Sequence, residues 1–200
     1  MLLCRQDRLF FATSTSLVVG KRRNFDNKSL GRLPACSYSP AMVHVGIGYD
    51  VHQLVAGRKL ILGGVEIAHS KGLDGHSDAD ALMHAICDAV LGAIGESDIG
   101  HFFPNTDPKW RGAPSRVFLE EAACQVRRLR GKIVNIDASL IAQAPKVAPY
   151  IAGMKANIAS ALGIEARKVG IKATTNEQMG FIGREEGIAA MAVASVDIEE

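Results

Sequence analysis

Ile188-Ala-Ala-Met-Ala-Val-Ala-Ser-Val196 is apolar on both of the faces that a β-strand alternates between. A rim strand would offer water a polar row. This stretch instead predicts a central strand, or one whose outer face an oligomer partner covers. Working outward, Val43-His-Val-Gly-Ile-Gly-Tyr-Asp-Val51 alternates and predicts a second strand. Lys59-Leu-Ile-Leu62 and Val65-Glu-Ile67, joined by Gly63-Gly64, predict a hairpin. Residues 132–142 and 168–173 predict two further strands. Helical spacing runs over 77–94, 115–130 and 149–162. Ser77 is the expected cap of the first helix, with Asp80 at the capping-box position. Gly92 and Gly95 mark its end, and Gly131 and Gly163 close the other two. Strands separated by helices make an α/β or α+β sheet with helices packed on it. Residues 96–114 carry Asp, Gly, Pro and Asn at loop frequency, and an ordered loop of that length usually has a function.

The chain has 200 residues, 48% hydrophobic and 22% charged, the composition of a globular domain. No apolar run approaches the length of a membrane-spanning helix. Aromatic residues make up 6%, so the core must be built from Ala, Val, Ile and Leu. A net charge of +2 argues against a dedicated nucleic-acid binder. That charge is unevenly placed. Residues 1–40 hold seven Lys/Arg and two Asp/Glu, whereas the remainder is net acidic. The basic, hydroxyl-rich, acid-poor leader has the profile of an organelle transit peptide. The expected organisation is therefore a transit peptide or disordered leader over 1–41 and one domain over 42–200, unless Met42 itself begins the domain. Cys87 and Cys124 are isolated and suit buried thiols in a reducing compartment.

Asp50 and His52 lie at i and i+2, so on a strand they share a face. His84 falls inside the first predicted helix, on one face with Asp80 and Asp88. Two His and a carboxylate are a common set for a catalytic zinc with an open position. The same ligands suit manganese or iron. A lone Asp-x-His is frequent, and a histidine on an apolar helix face is often just a hydrogen-bonded core residue. Glu177, in Thr174-Thr175-Asn176-Glu177, suits a magnesium-bound phosphate, or equally an N-cap or a solvent-facing turn. Lys146 and Arg184 are candidate phosphate binders or ordinary surface charges.

Seven stretches occur in order: Gly48-Tyr-Asp-Val-His52, His76-Ser-Asp-Ala-Asp-Ala-Leu-Met-His84, Asp98-Ile-Gly100, Phe103-Pro104, Ala142-Gln-Ala-Pro-Lys146, Lys172-Ala-Thr-Thr-Asn-Glu177, and Gly180-Phe181 with Gly183-Arg184. Together they resemble the 2-C-methyl-D-erythritol 2,4-cyclodiphosphate synthases of non-mevalonate isoprenoid biosynthesis. The resemblance covers residues 42–200. It implies a metal-dependent phosphorus–oxygen lyase acting on 4-diphosphocytidyl-2-C-methyl-D-erythritol 2-phosphate. The 2-phosphate attacks the β-phosphorus, CMP leaves, and a cyclic diphosphate forms. The nucleophile is already ionised, so the need is for cations and oriented donors.

The resemblance also implies roles. Asp50, His52 and His84 hold zinc or another divalent transition metal, and Glu177 holds magnesium or manganese. His76 and Ser77 orient the methylerythritol phosphate, and Thr175 positions the diphosphate, which makes His76 and Thr175 the catalytic positions. Asp98 and Gly100 contact the sugar-alcohol hydroxyls, Ile99, Phe103, Asn105, Thr106 and Asp107 also bind the substrate, and Asp88 contacts the ribose. Ala142, Gln143, Ala144, Pro145, Lys146 and Thr174 form the cytosine pocket. Phe181 and Arg184 line an axial channel that accepts an isoprenoid diphosphate. The implied fold is a four-stranded sheet with helices on one face, related to the ferredoxin-like sandwich. The implied assembly is a homotrimer with active sites between subunits. Neither nucleic acid nor membrane is an expected partner. The implied location is a plastid if the leader is a transit peptide, and the cytoplasm otherwise.

Three residues depart from the family pattern. Asn105 stands where Asp is expected. Ala79 replaces a common Gly, at a position expected to be helical. Glu185 sits where a small residue is frequent and could weaken anion binding beside Arg184. Two other readings use part of the same residues: a zinc-dependent phosphohydrolase, and a catalytically silent trimer that binds cytidine nucleotides or isoprenoid diphosphates. The first lacks a visible base near the zinc ligands. The second predicts the loss of a ligand, and none is lost.

Overall fold

The computed structural model describes residues 42–198. The leader, its expected targeting role and the boundary at residue 41 lie outside them. Chain order is β1 (Val43–Ala56), β2 (Leu60–Leu62), β3 (Val65–Ile67), β4 (Lys71–Leu73), α1 (Ala81–Ala93), α2 (Ile99–Phe102), α3 (Arg116–Arg128), β5 (Lys132–Ile141), α4 (Ile151–Leu162), β6 (Val169–Thr174), α5 (Gly180–Gly183) and β7 (Gly187–Asp197). The architecture is mixed α and β. The main sheet has the order β4-β1-β7-β5-β6, so the doubly apolar β7 is its middle strand, as expected. It pairs antiparallel with β1 on one side and β5 on the other. β5 and β6 are parallel, and α4 makes the crossover that a parallel pair needs. β2 and β3 form the expected hairpin, apart from the main sheet.

The main sheet has five strands rather than four. β1 runs on to Ala56, and its last residues pair with the three-residue β4, from Leu54 opposite Leu73 to Ala56 opposite Lys71. A three-residue strand carries too short an alternation to be recognised from sequence.

One face of β7 presents Ile188, Ala190, Ala192, Ala194 and Val196, all buried. Gly46 and Gly48 continue that face on β1. These small residues let α1 lie close against the sheet, with α3 and α4 packed beyond it. The opposite face stays open on β1 and β7, where Val45, Ile47, Tyr49, Val51, Met191 and Val193 are exposed.

Two expectations about the start of α1 are corrected. Its cap is Asp80, whose carboxylate accepts from the Met83 N–H, and not Ser77. Both residue types cap helices well. Asp80 is selected by a distant contact, because it also accepts the N–H groups of Gly63 and Gly64 in the hairpin turn. Ala79 therefore precedes the helix. It has φ 57°, in the left-handed region that favours Gly, so it is not a tolerant helical position. The 96–114 segment contains α2 and a single 3₁₀ turn at Pro108–Trp110. Cys87 is a buried core residue whose thiol lies against the Phe118 carbonyl, and burial pushes its pKa up.

Candidate active site

Asp50 and His52 follow Gly46 and Gly48 along the face of β1 that meets α1, and His84 sits one turn into that helix. The three side chains converge. His52 Nε2 and His84 Nδ1 each lie 3.0 Å from Asp50 Oδ2, and 3.2 Å from one another. All the potential ligand atoms fall within 4.8 Å, a donor set of two imidazole nitrogens and a carboxylate oxygen that suits a divalent ion. His52 Nδ1 lies 2.7 Å from the Asp74 carbonyl oxygen, which can only accept. Nδ1 therefore carries the ring proton, and Nε2 turns a lone pair toward the other two groups.

The electrostatics fit a cation site. Burial raises the pKa of Asp50, but the hydrogen bonds and positive charge that His52 and His84 offer when their rings are protonated outweigh it. The carboxyl ends well below the usual range. Burial lowers that of His52, but Asp50 and the Asp74 carbonyl outweigh it, and the imidazole ends above its ordinary value. Asp80 and Asp88 share the helix spacing of His84 but not its site. Asp80 is committed to the hairpin, and Asp88 accepts the Ile99 N–H at 2.8 Å.

A cavity of about 590 Å³ opens over the three ligands. His76 and Ser77 line it, as do Ile99, Gly100, Phe103, Asn105 and Thr106 from the long loop. Asp98 and Asp107 shape that loop from outside the cavity wall. Asp98 caps α2 through the His101 N–H, and the Asp107 carbonyl lies 3.2 Å from His76 Nε2. Arg58 fastens the His76–Ser77 segment from behind, donating to the Gly75 and Ser77 carbonyls at 2.9 Å each. Trp110 and Phe118 complete the wall and pack against Phe103, Trp110 edge to face at 4.9 Å and Phe118 tilted at 4.5 Å between ring centres. Sequence reasoning missed Arg58, Trp110 and Phe118. The single Trp of the chain, inside a polar loop, was the available signal. It also missed Ser115, whose hydroxyl is fully buried 2.8 Å from His84 Nε2, and its neighbour Asp78.

The other expected residues gather elsewhere in the chain. Ala142 pairs with Thr174 where β5 and β6 end, and Gln143 accepts the Gln178 N–H at 3.1 Å. Thr175 donates to the Glu177 carboxylate, and Glu177 itself has φ 48°. The stretch Ala144-Pro145-Lys146 follows, with a cis bond before the proline. None of these lines the cavity over Asp50, His52 and His84. Phe181 borders a second, smaller cavity with Val51, Gln53 and Glu186. Arg184 pairs in two-pronged fashion with Glu186, at 2.7 and 3.1 Å. The carboxylate beside it is thus Glu186, whereas Glu185 offers its carbonyl to Lys71.

The YgbB family model matches residues 43–197. The chain belongs to the YgbB family. Every residue of the cavity falls inside that match, and the basic leader falls outside it. Among the relatives of this chain, the 2-C-methyl-D-erythritol 2,4-cyclodiphosphate synthase of Cupriavidus pinatubonensis is 59% identical over 157 residues, 78% of this chain and 93% of that one. The protein of the same name from Alkaliphilus metalliredigens is 58% identical over 154 residues, 77% of this chain and 97% of that one. A solved Plasmodium falciparum structure, named IspF in complex with CDP, is 32% identical with a TM-score of 0.70. The likeness covers 81% of this chain and 100% of that one.

Proposed function

We propose that this chain converts 4-diphosphocytidyl-2-C-methyl-D-erythritol 2-phosphate into 2-C-methyl-D-erythritol 2,4-cyclodiphosphate and CMP. The observation that carries this reading is the meeting of Asp50, His52 and His84 at one wall of a cavity that His76 and Ser77 also line. The relatives' shared name and the CDP held by the Plasmodium protein support it.

The chemistry sets the demands. A 2-phosphate oxygen forms a bond to the β-phosphorus, and the bond to the α–β bridging oxygen breaks. CMP departs with that oxygen and its electron pair. The nucleophile is already an anion, so no side chain needs to remove a proton. A zinc-class ion on Asp50, His52 and His84, and a magnesium- or manganese-class ion on Glu177, would supply positive charge against the phosphate oxygens drawn together. His76 and Ser77 hold the methylerythritol phosphate, and Thr175 orients the diphosphate. The aromatic wall of Phe103, Trp110 and Phe118 keeps water from the phosphorus. Residues 142–146 and Thr174 present backbone groups to the cytosine.

Since those residues and Glu177 do not line the cavity of their own chain, they serve a neighbouring copy. The assembly is a homotrimer whose interface is the open face of β1 and β7. Phe181 and Arg184 lie toward its axis and offer a site to an isoprenoid diphosphate. The leader directs the protein to a plastid, a reading that fusion of residues 1–41 to a fluorescent reporter would test.

The deciding experiment incubates purified residues 42–200 with the cytidyl substrate, zinc and magnesium, and separates the products. Stoichiometric CMP with a cyclic diphosphate is expected. CMP with a linear product would make the protein a hydrolase. A folded assembly that releases no CMP would be a binding protein.

A further inference from the structure

His84 has two ring nitrogens and one proton to place when neutral. Its Nδ1 faces Asp50 Oδ2 at 3.0 Å. Left to that contact alone, the ring would put its proton on Nδ1, donate to Asp50, and offer no lone pair to an ion. The far side of the ring decides otherwise. Nε2 lies 2.8 Å from the hydroxyl of Ser115, which is fully buried. The Ser115 hydroxyl has one proton, and it donates that proton to Asp78 Oδ1. The Ser115 backbone N–H donates to the other oxygen, Asp78 Oδ2, at 3.0 Å. Asp78, as a carboxylate, only accepts. With its proton spent, Ser115 Oγ turns a lone pair to His84 Nε2, and this 2.8 Å contact favours the proton on Nε2. Nδ1 is left with its lone pair toward Asp50 and His52. Ser115 opens α3 yet makes no capping bond of its own, because its hydroxyl serves this contact instead. Ser77 Oγ stands 3.3 Å from the same nitrogen and accepts the Ala79 N–H, a longer and secondary contact.

We propose that Ser115, held by Asp78, is a positioning residue that sets the tautomer of His84 and so makes it a metal ligand. The inference rests on the reading above that Asp50, His52 and His84 hold a divalent ion. Partners that orient a ligating imidazole are worth about 10- to 100-fold in metal affinity.

The Asp78→Asn variant gives the sharper test, because an amide can reverse the relay. Its oxygen would keep the Ser115 N–H while its NH₂ donates to Ser115 Oγ. The hydroxyl proton then turns to His84 Nε2, which drives the ring proton onto Nδ1. Nitrogen-15 spectra of the metal-free protein, taken where imidazole is neutral, report the tautomer directly. His84 protonated on Nε2 in the parent chain, and on Nδ1 in Asp78→Asn, is the expected result. Cobalt titration of the same proteins should show affinity about 10- to 100-fold weaker in Asp78→Asn and Ser115→Ala, and near parental in Ser115→Thr.

A parent His84 protonated on Nδ1 overturns the proposal, whether or not either variant folds. So does cobalt affinity in both variants within threefold of the parent. If the parent binds no cobalt at all but shows the expected tautomer, the metal reading fails while the relay stands.

Discussion

Gly48 and Ala85 meet backbone to backbone: a Cβ on the glycine would stand 2.0 Å from the Ala85 carbonyl oxygen. Gly46 stands in the same relation to Ala89, at 2.1 Å. This close approach lets residues two and four places further along β1 reach a histidine on α1. Gly48→Ala must push α1 off the sheet or bend β1. Overpacking of this kind costs about 1–3 kcal/mol, and backbone atoms cannot swing aside as side chains can. The expected outcome is a lower unfolding temperature together with weakened metal binding. A variant that melts and binds zinc like the parent would mean that α1 is not set by this contact.

The central place of β7 is legible because Ile188 to Val196 has no polar row, and only a middle strand tolerates that here. The candidate metal trio is legible because two periodicities, two for Asp50 and His52 and helical for His84, each leave a possible ligand without an obvious structural duty. What the sequence hides is what depends on distant partners. Ser77 and Asp80 are equally good caps, and the Gly63 and Gly64 N–H groups choose between them. Ser115 looks like any serine at a helix start, and only folding brings it to His84. Glu177 is joined to Asp50 by the resemblance alone, and within one chain it does not line the cavity over Asp50.

That separation divides the expected effects of substituting His84 and Glu177. His84→Ala removes a nitrogen from the three-atom cluster and should lose the stoichiometric transition metal. Glu177→Ala should retain that metal and slow CMP release about 100-fold or more, the usual scale when charge stabilisation at the reacting group is lost. Metal analysis beside single-turnover kinetics separates the two. Retained zinc in His84→Ala would refute the ligand assignment, and an unchanged rate in Glu177→Ala would remove it from the mechanism.

Ile47 lies opposite Val193 on the open face of the sheet and is 66% exposed in the single chain. Val45 and Tyr49 flank it on the same face. Glutamate there costs the isolated chain little, since surface substitutions usually stay within about 0.5 kcal/mol. Against an apolar interface it places a charge that has no partner. Ile47→Glu is expected to give a folded monomer that binds zinc but releases no CMP, because Glu177 and Thr175 of a neighbouring copy are withdrawn. Sedimentation beside the CMP assay tests this, and a fully active monomer would sink the shared-site reading.

Asp80 is fully buried and accepts three backbone N–H groups, from Gly63, Gly64 and Met83. Burial dominates its titration. The three donors pull the pKa down and the charge of Asp78 adds to the rise, leaving the carboxyl pushed up to about 6 from 3.8. The folded pKa therefore lies above the unfolded one, and the native state binds the extra proton between them. The contribution of Asp80 to stability is fully present below 3.8, and declines as pH rises through about 6. Asp80→Asn removes that dependence and turns an NH₂ toward a backbone N–H, donor against donor, at a cost of about 1–3 kcal/mol. Denaturant unfolding at about pH 4 and about pH 7.5 should then show the parent ahead of the variant at the lower pH, with the lead narrowing at the higher. A lead that widens as pH rises would mean that the ionised carboxylate, held by its three donors, is the form the fold prefers.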